Sequence, residues 1–165
     1  MDESNNLYDN IPVVTASEEN IKKINTYSIR RTLVFVAFID FIFELINGFS
    51  YALDKKNDTL PLSYSSFICA AIVLAGICGI NRYHSCTSKI YGGYVGFKII
   101  GYFAVIFAYQ LNFLALLFFG LIIMLNIWIL KLLCKFTSNL NVLLDEDIES
   151  LRSGWKPTIQ RIILV

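Results

Sequence analysis

From Ile90 to Leu133 the chain runs 44 residues with only Lys98 and Lys131 as charged side chains. As a single helix this stretch would be ~66 Å long, about twice the ~30 Å hydrocarbon core of a bilayer. A soluble fold of this size has too small an interior to hide it. The stretch therefore has to cross a membrane, turn, and cross back. Tyr109-Gln110-Leu111-Asn112 is the most polar point near its middle, which places the turn there and gives spans at about 90–109 and 112–133.

Two further spans precede it. Thr32 to Ala52 is apolar except for Asp40, Glu44, Asn47 and Ser50, and Leu60 to Ile80 carries no charge and opens with Pro61, a residue tolerated in the first helical turn. The expected architecture is an all-α, integral membrane four-helix bundle with short loops, spanning at about 31–53, 60–81, 90–109 and 112–133. It divides into an N-terminal tail (1–30), a membrane domain (31–135) and a C-terminal tail (136–165).

Orientation follows from the basic residues flanking the spans. Lys22, Lys23, Arg30, Arg31, Arg82, Lys89, Lys131 and Lys135 fall on one side, and Lys55 and Lys56 on the other, so both tails are expected in the cytosol. The N-terminal segment carries Asp2, Glu3, Asp9, Glu18 and Glu19, the opposite of a basic leader, and predicts no cleaved signal. Thr15-Ala16-Ser17-Glu18 has capping-box spacing, and Ile21, Ile24 and Tyr27 share a face, so residues 16–29 read either as a short helix on the membrane surface or as a solvated tail. Pro157 stops any helix from running through the C-terminal tail.

Asp40, Glu44 and Asn47 share one face of the first helix, and a charge at mid-bilayer costs at least ~2.5 kcal/mol, so they face protein or water. Asp40 is nine residues in from Arg31 and Lys98 nine in from Lys89, each roughly 13 Å deep. Asn126 is nine residues from Lys135 and thus at a similar level. The structural reading is an interhelical polar clasp of Asp40, Lys98 and Asn126; the functional reading is a proton or cation site at Glu44, for which no partner is evident at its level. Ala71, Ala75 and Gly79, and Gly92 and Gly96, are spaced to let helices approach closely, within the bundle or between two copies in a homo-oligomer.

The tails and loops carry other candidates. Tyr8-Asp9-Asn10-Ile11 has the form of a tyrosine-based sorting signal for a cytosolic adaptor, Tyr8 and Ile11 being its anchors, against chance in a tyrosine-rich chain. Cys86 and Cys134 are juxtamembrane, suited to palmitoylation or ordinary free thiols, and Asn57 opens the sequon Asn57-Asp58-Thr59 in a loop expected outside. His84 and Cys86 fall two ligands short of a zinc site. No cofactor, metal or catalytic set is expected, and a net charge of +1 without a free basic run gives no reason to expect a nucleic-acid partner.

In topology the chain resembles tetraspan groups such as the MARVEL-type vesicle proteins, without a shared diagnostic motif. It lacks the large cysteine-bearing loop of tetraspanins and the Trp-plus-Cys-pair loop of claudins. An acid in the first of four helices is similar to the small multidrug resistance transporters, from which the long tails, Asp40 and Lys98 depart. Two functions are thus expected to compete. One is a non-enzymatic tetraspan protein of endomembranes or the plasma membrane, working in membrane organisation or vesicle trafficking through lipids and its tails. The other is a small proton- or cation-coupled transporter centred on Glu44.

Overall fold

The computed structural model describes residues 18–53, 60–109 and 112–157. Among the described residues there are five helices and no strand: α1 (Glu18–Leu53), α2 (Leu60–Asn81), α3 (Ser85–Ala108), α4 (Phe113–Val142) and α5 (Asp145–Arg152). The first four are long and apolar enough to cross a membrane, and the chain is a four-helix membrane bundle. α1 and α3 each pack along α2 and α4, so α1 faces α3 across the diagonal of a square. Tyr8, Ile11 and Asn57 lie outside the described residues.

α2 has the expected bounds, and at 22 residues it is ~33 Å long, a match to the bilayer core. α1 and α4 overrun it. With 36 and 30 residues they are ~54 Å and ~45 Å long, and both project beyond the membrane at the end that carries the termini. The segment from residue 18 to 29 is therefore the start of α1 and not a separate helix lying on the surface. Its buried positions Lys23, Thr26 and Ile29 run on at helical spacing into Leu33 and Ala37, and nothing between them breaks the helix.

The projecting ends have a partner. α5 opens with Asp145, Glu146 and Asp147 at its positive dipole end, and Lys23 of α1 pairs with Asp147 at 2.7 Å. Tyr27 meets Trp155 edge to face, and the Lys23 ammonium lies 4.9 Å from the Trp155 ring centre. Beneath them Phe136, Leu140, Leu143 and Leu151 are buried in the same core as the spans.

Two turns set the helices in place. Asn112 caps α4, its Oδ1 accepting from the Ala115 amide at 2.8 Å, so the hairpin falls where the polar tetrapeptide predicts. α2 ends in a Schellman motif: the His84 amide donates to the Gly79 carbonyl at 2.8 Å and the Tyr83 amide to Ile80 at 3.2 Å. The left-handed position is taken by Tyr83 (φ 53°), where glycine would be the unstrained choice. Its ring is buried against Phe136, and the Arg30 guanidinium lies 5.1 Å from its centre. Burial pushes the Tyr83 phenol pKa up, against the lowering effect of Arg30.

Between α2 and α3 the approach is close. A Cβ at Gly79 would stand 1.9 Å from Thr87 Oγ1, and one at Gly76 would stand 2.6 Å from Tyr91 Cβ. The expected stripe of Ala71, Ala75 and Gly79 is only partly right, because Ala71 and Ala75 are exposed. The buried face of α2 is Ser63, Ser66, Ala70, Val73, Gly76, Gly79 and Ile80. In α3, a Cβ at Gly92 would meet Leu130 and Leu133 of α4 only at ordinary contact distance, 3.9 and 4.0 Å, and nothing lies within 4 Å of a Cβ at Gly96.

Candidate functional site: a charged cluster across the bundle diagonal

The stripe that buries Leu33 and Ala37 continues one turn at a time to Asp40 and Glu44, so the acids point at the bundle axis because the apolar residues before them do. From α3, Tyr91, Tyr94 and Lys98 project at i, i+3 and i+7. Lys98 Nζ reaches Asp40 Oδ1 at 2.5 Å and Glu44 Oε1 at 3.1 Å. The Tyr91 hydroxyl donates to Asp40 at 3.3 Å and the Tyr94 hydroxyl to Glu44 at 2.6 Å. Each carboxylate thus accepts one phenol and one ammonium hydrogen bond, which suits charged groups far from water.

The cluster is closely held. Side-chain exposure is 15% for Asp40 and Lys98 and 12% for Glu44. The Lys98 ammonium also lies 5.3 Å from the Tyr94 ring centre, a cation–π contact that offsets part of its lost hydration.

Asp40 and Lys98 come together as their equal depths predict. Glu44 has partners that its depth did not reveal: the lysine side chain reaches from the level of Asp40 to the next turn of α1, and Tyr94 supplies a hydroxyl there. Asn126 is buried, but its amide donates to the Ile122 carbonyl of its own helix at 2.8 Å and not to the acids or Lys98. Asn47 is exposed. At its level α1 leans on α2, with Ser63 Oγ donating to the Gly48 carbonyl at 2.9 Å and Phe49 against Phe67, so the inward face has rotated to Gly48. The two tyrosines are the residues that sequence reasoning passed over, and their spacing from Lys98 was the available signal.

Elsewhere, Cys86 and Cys134 are exposed near the terminal end of α3 and α4. His84 caps α3 through Nδ1 to the Thr87 amide at 3.5 Å. Comparison with known protein families, with curated proteins and with solved structures finds no match.

Proposed function

We propose that this is a non-enzymatic tetraspan protein with both termini in the cytosol, acting in membrane organisation or vesicle trafficking through lipid packing and partners at its cytosolic end. The observation that carries the reading is the satisfaction of Asp40, Glu44 and Lys98 by one another and by two tyrosines, with all three side chains at most 15% exposed. Charges used this way fix which helices meet, and in what register.

The packing of the start of α1 against α5 and Trp155 supports the same reading. α1, α5 and Trp155 form a packed surface on the side marked by the excess of Lys and Arg, suited to cytosolic partners. Tyr8 to Ile11 would add a sorting signal for an adaptor, and exposed Cys86 and Cys134 sites for acylation. Tags at either end should be reached by antibody only after permeabilisation, and a tag inserted at Asn57 without it when the protein is at the cell surface. An exposed C-terminus in intact cells would refute the arrangement.

A second reading is favoured by one observation: the cluster holds two acids and one base. Neutralising two acids and one base takes one further proton or cation, which is the starting condition for a coupled transporter centred on Glu44. Such a transporter needs flux that depends on Glu44.

A further inference from the structure

Where α2 ends, three arginines distant in sequence line one cavity. They are Arg30 of α1, Arg82 of the α2–α3 turn and Arg152 at the end of α5, and the cavity, of about 850 Å³, is lined also by Asn81, His84 and Thr87. The volume is within the range of ligand sites. The turn accounts for the arrangement: the buried ring of left-handed Tyr83 is held in the core, and its neighbours Arg82 and His84 both line the cavity.

Two of the three arginines are held in place by neutral groups. Arg30 lies between the Tyr27 and Tyr83 rings, 5.3 and 5.1 Å from their centres, and its Nη1 donates to Asn81 Oδ1 at 3.3 Å. Arg152 Nε donates to the Arg82 carbonyl at 3.0 Å. Among the described residues the ion pairs are Lys23 with Asp147 and Lys98 with Asp40 and Glu44, so no carboxylate there balances these three arginines. Three arginines on one concavity, two of them held in place and none with a counter-ion among the described residues, suit a phosphate group.

Depth and shape distinguish a lipid phosphate from a free one. α2 matches the hydrocarbon thickness, so Asn81 and Arg82 stand at headgroup level. A second cavity of about 350 Å³ shares Arg30 and Asn81 with the first and is lined further by Arg31, Val34, Phe35 and Phe38 of α1, the last three lying toward the bilayer interior. An arginine-lined concavity at the headgroups, sharing Arg30 and Asn81 with a groove along Val34, Phe35 and Phe38, has the form of a phospholipid.

We infer that the Arg30–Arg82–Arg152 cavity binds the phosphate-bearing headgroup of an anionic phospholipid, with an acyl chain laid along Val34, Phe35 and Phe38. Basic pockets beside membrane helices recognise such headgroups by the same charge logic. The inference rests on the proposed topology only for the leaflet that supplies the lipid. Binding in micelles tests the cavity alone, and the terminal tags test the orientation, so the two fail separately.

The test is calorimetric titration of the full chain in dodecyl maltoside with dioctanoyl phosphatidylinositol 4-phosphate, dioctanoyl phosphatidylcholine and soluble inositol 1,4-bisphosphate. The phosphoinositide should bind at least tenfold more tightly than either of the others. Arg82→Ala/Arg152→Ala, whose side chains are exposed, should lose at least tenfold in phosphoinositide affinity at unchanged thermal stability. Phe35→Ala/Phe38→Ala should weaken the lipid and leave the weak inositol bisphosphate binding unchanged. Equal binding of phosphatidylcholine, equal binding of inositol bisphosphate, or full affinity in the arginine variant each overturns the proposal. Should the arginine variant lose stability, Arg82→Lys/Arg152→Lys replaces it: retained charge without the bidentate fork should still cost affinity, and no loss overturns the proposal.

Discussion

Replacing Lys98 with Met removes the one cation that two carboxylates share. Lys98 lies 2.5 Å from Asp40 and 3.1 Å from Glu44, and all three side chains are at most 15% exposed, so solvent screens the loss little. Breaking a buried pair by deleting one partner costs about 3–5 kcal/mol, and here two acids are stranded side by side, so Lys98→Met belongs at the upper end. Asp40→Asn and Glu44→Gln each leave Lys98 with one carboxylate and should cost about 1–3 kcal/mol, the price of a charged hydrogen bond. The triple change Asp40→Asn/Glu44→Gln/Lys98→Met leaves no charge to strand and should recover most of what Lys98→Met loses, a coupling expected only of residues in contact. The assay is reversible unfolding in mixed micelles, with the monodisperse fraction after extraction as a second readout. A Lys98→Met variant no less stable than Asp40→Asn, or a triple variant whose loss equals the sum of the singles, would refute the shared clasp.

Three other outcomes follow from the packing and the tails. Gly79→Ala and Gly76→Ala should each destabilise by about 1–3 kcal/mol through overpacking against Thr87 and Tyr91, whereas Gly96→Ala meets nothing and should be neutral or slightly stabilising, all read by the same unfolding assay. Lys23→Met should loosen the packing of α1 against α5 by removing its pair with Asp147 and its contact with Trp155, seen as faster hydrogen exchange across residues 145–155 while the spans stay protected. Tyr8→Ala should shift the steady-state distribution toward the cell surface, measured by surface biotinylation; an unchanged distribution would retire the sorting motif.

The membrane helices were legible because hydropathy reports the same barrier the bilayer imposes, and α2, without a charge between charged neighbours, matches its expected bounds. α1 and α4 were legible only as far as the hydrocarbon reaches. Beyond it their continuation depends on packing against α5, through Lys23, Leu140 and Leu151, which no local pattern reports. Counting residues inward from flanking cations found Asp40 opposite Lys98, but it measures backbone depth and misses the reach of a lysine, hence the missing partner for Glu44. Tyr91 and Tyr94 read as apolar bulk until their hydroxyls are seen on the acids. Arg30, Arg82 and Arg152 entered the sequence only as flanking charge or tail; their place on one cavity is tertiary, set by the turn at Tyr83.

The central claim is that the intramembrane charges hold the bundle together and conduct nothing, and proton flux tests it most directly. The purified chain is reconstituted into liposomes enclosing a pH-sensitive dye, and an inward proton gradient is imposed with valinomycin and potassium to clamp the potential, alongside empty liposomes and Glu44→Gln. The account predicts a decay no faster than in empty liposomes, with Glu44→Gln indistinguishable from the unmodified chain. Flux above that background that disappears in Glu44→Gln while the variant stays folded would contradict it, and would make the excess acid of the cluster the working group of a transporter.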